Sequence, residues 1–343
     1  MLLSLFLCML YSLKHLIFIQ KPDLLYKILK TLSRFAIRIY CRKVIINRPE
    51  TLKIEGPVLI AANHPNSFLD SVILDTLFKN DIWSLARGDV FKKPFHARLL
   101  ASLNILPVYR TSEGVENLSE NYKTFEACID KLNEKAIITI YSEGLCVNEW
   151  HLRLLKKGTA RLAIKAWEEN IPLKVLPVGI NYSSYSKFGK NVFLNFGDTI
   201  SKADINFDDA DGLRHLQFNN KLQEELSKLV FEIHGTDDEL KKSKLTVQVS
   251  IFKKILLFIP AVIGWLVHLP LYIPLKNFAQ KKTTGTGHYD SVITALLLIL
   301  YIPYLLLITG ISWAVTGCWF SLFLIIVMPL TAWSFVQIKN QLD

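Results

Sequence analysis

The stretch Asn63-His64-Pro65-Asn66-Ser67-Phe68-Leu69-Asp70 sets an imidazole and a carboxylate on one short turn, directly after the apolar run Val58-Leu59-Ile60-Ala61-Ala62. A histidine whose second ring nitrogen is held by a carboxylate has one tautomer and one direction, and takes a proton from an alcohol near neutral pH. On this reading His64 is a general base and Asp70 steadies the imidazolium, the division of labour of the serine-protease triad. A second reading fits the same residues. Ser67 to Asp70 has the spacing of a helix N-cap with an acid at N3, where Asp70 would offset the orphan amides and dipole of a helix start. These eight residues alone leave both readings open.

The elements that must position this turn read as an α/β domain. Between about residues 50 and 200, short apolar runs alternate with helix-like stretches. Strands are predicted at Val58–Ala62, Ile82–Ala86, Ile105–Tyr109, Ala136–Tyr141, Lys174–Ile180 and Val192–Phe196. Helices are predicted at Ser67–Phe78, Pro94–Ser102, Ser119–Leu132 and Thr159–Trp167. Polar groups follow the strands directly: Arg87 after the second, Arg110 after the third, Glu143-Gly144 after the fourth. Such loops are where an α/β sheet gathers a site. Taken singly, Arg87 and Arg110 read as surface charges and Glu143 as a capping or structural acid, and Gly144 as a turn residue. Together with Lys156-Lys157 and Arg161, the two arginines supply enough cations to hold a phosphate, whose shape suits the guanidinium fork.

With 343 residues the chain has room for roughly two domains at ~150 residues each. Apolar residues make up 51%, high for a soluble domain, and they are concentrated at the end of the chain. Between Asp290 and Lys339 there is no Asp, Glu, Lys or Arg. Two spans of ~20 residues fit there, near 291–309 and 313–335, with Gly310-Ile311-Ser312 as the turn and Tyr289, Trp313 and Trp333 near the ends, where interfacial aromatics collect. A third apolar stretch, 255–275, contains Pro260, Gly264, His268, Pro270 and Pro274, which predicts a broken helix. Lys253-Lys254 before it and Lys276, Lys281 and Lys282 after it put both flanks on the cytoplasmic side by the positive-inside rule. A re-entrant or in-plane segment is therefore expected, with the catalytic domain facing the cytoplasm.

Residues 1–55 hold ten Lys and Arg against Asp23, Glu50 and Glu55, most of the net charge of +10. The apolar opening to Leu13 lacks the preceding positive charge and the small-residue cleavage site of a signal peptide, which predicts an uncleaved anchor or interfacial helix. The stretch from Leu24 to Tyr40 is basic and amphipathic, the type that lies on anionic membranes. Nucleic acid is not an expected partner, because the basic excess tracks the apolar segments and no nucleic-acid motif appears. The five cysteines show neither metal-ligand nor disulfide spacing, and no phosphate-binding or dinucleotide glycine loop is present. No metal or cofactor is expected. The layout is thus 1–48 membrane-associated helices, 49–200 catalytic domain, 201–250 helical linker and 251–343 membrane region.

Four blocks in order resemble the glycerolipid acyltransferase family, which includes the glycerol-3-phosphate and lysophosphatidate acyltransferases. They are Asn63-His64 with Ser67 and Asp70; Leu106-Pro107-Val108-Tyr109-Arg110; Tyr141-Ser142-Glu143-Gly144; and Val175-Leu176-Pro177-Val178-Gly179. The resemblance covers roughly residues 50 to 200 and implies a membrane-bound O-acyltransferase of phospholipid biosynthesis. It would use acyl-CoA or acyl-carrier protein as co-substrate and a glycerol-phosphate-type acceptor. The resemblance casts His64 as base and Asp70 as its partner, with Arg87, Arg110, Glu143, Gly144 and Lys157 binding substrate. The chain departs from the family pattern in three places. Five residues rather than four separate His64 from Asp70, Ser142 replaces the usual Pro, and Leu145-Cys146 stands where Thr-Arg normally follows Glu-Gly. With no arginine at that place, His151, Arg153, Lys156 or Lys157 holds the phosphate, or else the acceptor differs. A lysophospholipid-remodelling or non-phosphate acyltransferase is the alternative within the class, and a non-catalytic membrane scaffold the alternative outside it.

Overall fold

The computed structural model describes residues 22–109 and 118–342, so the expected anchor before residue 22 and Arg110 lie outside the described residues. Seven strands among these form one sheet: β1 Cys41–Ile46, β2 Val58–Ala62, β3 Ile82–Arg87, β4 Ile105–Val108, β5 Ile137–Tyr141, β6 Lys174–Tyr182 and β7 Lys190–Phe196. Their order is β1-β7-β6-β2-β5-β3-β4, parallel throughout except for β6 against β7. All five residues of β2 are buried, which is why they read as a continuous apolar run rather than an alternation. Between β5 and β6, β2 delivers the turn after Ala62 to the carboxyl edge of the sheet, where open parallel sheets place their ligands.

Helices α1 Pro22–Tyr40, α2 Phe68–Leu77, α3 Pro94–Ala101, α4 Leu118–Asn133, α5 Gly158–Glu168, α6 Asp211–Leu229 and α7 Asp238–Leu245 accompany the sheet. Most lie within a few residues of the expected ranges, and the mixed α/β architecture is as the alternation of patterns predicts. Three details differ. The sheet begins at Cys41, ahead of the expected boundary at 49, because Cys41 and, past an irregularity at Arg42, Lys43 to Ile46 pair at the sheet edge with β7; charges on an edge strand dilute its apolar signal. The region after residue 201 is not a linker, since Phe218, Leu222, Leu226 and Leu229 of α6 belong to the main core. Its charges occupy the outer face and hide a helical apolar stripe. Finally, the cations of α1 are partly spent inside the protein: buried Lys30 bridges Asp75 and Asp81, and Arg34 donates to the Thr76 and Phe78 carbonyls at the end of α2. Leu24, Ile28 and Phe35 remain exposed on the other face.

Beyond residue 250 the chain forms α8 Ile251–Thr283, α9 Tyr289–Thr316 and α10 Leu324–Ile338, the last preceded by a 3-10 turn at Trp319–Phe323. The stretches Ile251–Thr283, Tyr289–Thr316 and Trp319–Ile338 are all long and apolar enough to cross a membrane. The expected break and re-entrant turn in 255–275 do not occur, for α8 runs unbroken through Pro260, Pro270 and Pro274. A neighbouring helix contributes hydrogen bonds near these prolines, as when Tyr304 Oη donates to the Val267 carbonyl at 2.5 Å. The turn after α9 also lies later than expected. Gly310 stays helical, and the helix ends at Gly317, whose φ of 62° forms the left-handed cap that an L side chain resists. Ala279 and Ile293 sit in the same core cluster as β2, β6 and β7, so the ends of α8 and α9 are built into the α/β domain.

Candidate active site

The turn after β2 is clamped before it does anything else. Asn63 Nδ2 donates to the Ile180 carbonyl at 3.0 Å and its Oδ1 accepts the Ile180 N–H at 2.7 Å, which locks the residue before His64 onto β6. The His64 ring stacks on Tyr141 with centroids 3.8 Å apart and 15° between planes. His64 Nδ1 lies 2.9 Å from Asp70 Oδ2. The Asp70 carboxylate is fully buried; Oδ2 also accepts the Asn66 N–H at 2.8 Å and Oδ1 the Tyr182 hydroxyl at 2.7 Å. Three donors on one buried carboxylate offset its lost hydration. They also hold Nδ1 of His64 as the protonated nitrogen. The other ring nitrogen has no hydrogen-bond partner among the described residues, and the ring borders the main cavity.

The five-residue gap is absorbed at Ser67, which precedes α2 with φ 52° and makes no side-chain cap. A serine held there costs roughly 1–3 kcal/mol, and the detour folds Asp70 back under the imidazole. The two readings of the turn therefore meet in one atom. Asp70 does accept a backbone amide beside the helix start, that of Asn66, with the oxygen that also orients His64.

Glu143, expected to bind substrate, makes two contacts to backbone. Its Oε2 accepts the His64 N–H at 2.8 Å and its Oε1 the Arg153 N–H at 2.9 Å. Burial pushes its pKa above the usual carboxylate value, against the pull of those two amides. Both of its oxygens thus hold backbone amides, one of them that of His64. Gly144, at φ +65°, turns the chain where an added Cβ would meet Lys156 Cγ at 3.0 Å. Arg87 pairs with Asp89 at 2.6 Å and is half exposed at the cavity wall. Lys157 is the boundary residue of α5 and lines the same cavity with Lys156 and Arg161.

The cavity measures about 2140 Å³. One wall is apolar, from Leu29 and Ala36 of α1, Val72 of α2, and Val292, Ala295 and Ile299 of α9; the other carries the α5 cations. His288 also borders it, its Nδ1 2.9 Å from Ser67 Oγ. Partial burial holds the His288 pKa below its ordinary value, helped by the charges of Arg87 and His64. Asn66, Tyr182 and His288 gave no sequence signal of their own: each is polar and plausible anywhere, and only the fold brings them to the turn.

Residues 43–181 match the family model described as Acyltransferase. Over that stretch the chain is similar to an acyltransferase domain. The matched segment runs from β1 into β6 and includes His64, Asp70, Glu143 and Lys157, while α6 to α10 lie beyond it. Among solved structures, the chain is similar to the 1-acyl-sn-glycerophosphate (LPA) acyltransferase PlsC from Thermotoga maritima, at 16% identity and a TM-score of 0.43, over 66% of this chain and 96% of that one. No curated protein matches the chain.

Proposed function

We propose that this acyltransferase moves a fatty acyl group from a thioester, acyl-CoA or acyl-carrier protein, to a hydroxyl of a glycerol-phosphate-type acceptor in phospholipid biosynthesis. The catalytic domain would lie at the cytoplasmic membrane surface. The observation that carries the reading is the contact of 2.9 Å between His64 Nδ1 and Asp70 Oδ2 in a ring that borders the cavity, its opposite nitrogen without a hydrogen-bond partner among the described residues. In the reaction, that nitrogen takes the acceptor hydroxyl proton as the oxygen attacks the thioester carbonyl. The carbon–sulfur bond then breaks, and the departing thiolate takes the proton back from the imidazolium. Asp70 stabilises the transient cation, and no covalent acyl-enzyme is needed. Lys156, Lys157 and Arg161 are the groups suited to the acceptor phosphate, with Arg87 at the rim and Arg110 assigned on the family resemblance. The apolar wall between α1, α2 and α9 suits the acyl chain, and the exposed apolar helices explain how a lipid reaches it laterally. Pre-placing both substrates supplies proximity.

A remodelling activity on lysophospholipids is the second reading, favoured by Leu145-Cys146 in place of Thr-Arg. Purified full-length protein in phospholipid micelles, given labelled acyl-CoA or acyl-carrier protein with glycerol-3-phosphate, lysophosphatidate or lysophospholipids, separates the readings. Transfer to one of the phosphate monoesters, abolished in His64→Ala, is the expected result. Full activity of His64→Ala, or transfer to none of these acceptors, defeats the proposal.

A further inference from the structure

We propose that Asp290, at the start of α9, is a positioning residue for the turn that carries His64, acting through Asn66. The inference deepens the acyl-transfer reading and rests on it. Asp290 is fully buried and is the last acid before a charge-free stretch that reaches Lys339. Its Oδ1 accepts the Tyr40 hydroxyl at 2.6 Å, and its Oδ2 accepts Asn66 Nδ2 at 2.6 Å and pairs with the ammonium of Lys190, itself fully buried at the start of β7. Asn66 passes the constraint on, since its backbone N–H donates to Asp70 Oδ2, the oxygen that holds His64 Nδ1. One asparagine thus bridges two buried carboxylates.

The arrangement is better explained by direction than by stability. A buried ion pair is weak evidence of stabilisation, because apolar groups of the same shape often serve as well. What the pair supplies is a fixed anion: with Lys190 balancing its charge, Asp290 holds the Asn66 amide in one orientation, as a flip would set Oδ1 against the carboxylate. Ser67, next in the chain, has φ 52°, a conformation that persists only where the surroundings over-determine it. His288 provides the second tie, to Ser67 Oγ at 2.9 Å. The turn is therefore held on one side by β6 through Asn63 and on the other by the first residues of an apolar helix outside the matched acyltransferase domain.

Asn66→Ala in the full-length protein cuts the relay while leaving the Tyr40, Lys190 and Asp290 contacts in place. We expect kcat to fall roughly tenfold to a hundredfold, as for small displacements of reacting groups, with KM for donor and acceptor within about twofold and the thermal midpoint nearly unchanged. Wild-type kcat in a folded Asn66→Ala overturns the proposal. Should that variant fail to fold, Tyr40→Phe removes one bond to Asp290 without touching the turn: a lower kcat at unchanged KM supports the relay and an unchanged kcat overturns it. The downfield Nδ1 proton of His64 in NMR, assigned by its loss in His64→Ala, gives a readout independent of turnover. It should broaden in Asn66→Ala, and a sharp, unshifted signal counts against the relay. A wild-type protein that transfers no acyl group counts instead against the acyl-transfer reading, while the NMR signal still decides the relay.

Discussion

The turn Asn63–Asp70 and the cation row of α5 border one cavity and use their polar groups in opposite ways. In the turn, Asn63 is clamped to Ile180, Asn66 to Asp290, and Asp70 to His64, Asn66 and Tyr182. On α5, Lys157 and Arg161 have no carboxylate partner among the described residues, and Lys165 has only Glu169 at 3.9 Å. A proton-transfer group gains from being held in one geometry before substrate arrives. A binding cation gains from having nothing to release when an anion enters. On the proposed acyl-transfer reading, the difference separates proton transfer from recognition, so that rate and affinity should respond to different substitutions.

The largest effect should come from the turn. Asp70→Asn removes the anion that fixes the His64 tautomer, and kcat should fall by roughly 10²–10³ at little changed KM; steady-state kinetics with saturating acceptor checks this, and a large KM change with intact kcat would break the contrast. Glu143→Ala comes next. It strips the acceptor from two partly buried amides, so about 1–3 kcal/mol of stability should be lost, together with about tenfold in kcat, read from thermal melts and kinetics side by side. On the α5 side, Lys157→Met or Arg161→Met should raise the KM of a phosphate-bearing acceptor about tenfold, or ~1.4 kcal/mol, with kcat nearly unchanged. An acceptor lacking phosphate should not notice the change.

The smallest effect concerns His288. A histidine with a lowered pKa prefers to be neutral in the folded state, so its contribution to stability is complete above its ordinary value of 6.5 and declines as pH falls through the lowered one. His288→Gln should flatten the acid side of a melting-temperature profile between pH 7 and pH 5. An unchanged slope would remove His288 from the turn's supports.

The legibility of these parts follows the range of the interactions that build them. β2, α2, β5 and α5 were readable because burial on both faces of a strand, or on one face of a helix, writes itself into consecutive residues. The charged β1 is not, since Arg42 and Lys43 dilute its apolar signal; α6 reads as a helix around Leu213–Ile233, but its place in the core is hidden by the charges on its outer face. The unbroken α8 was misjudged for a related reason: prolines that end helices in water are tolerated where neighbouring helices take up the freed carbonyls. At the site, the contact of Asp70 with His64 follows from their place on one turn, whereas the hydrogen bonds of Glu143 do not, because its partners are backbone amides that every sequence contains.

By itself the sequence determined the α/β alternation, the apolar C-terminal region and the presence of an imidazole and a carboxylate on one turn, all set by neighbours along the chain. Only the tertiary structure decided that Ser67 bends backward to bring Asp70 onto His64. It alone placed Asp290, 224 residues from Asn66, beneath that turn. The reason is physical. A buried carboxylate must find its counter-charge and donors wherever the folded chain supplies them, and no local spacing records which distant lysine, tyrosine or asparagine that will be.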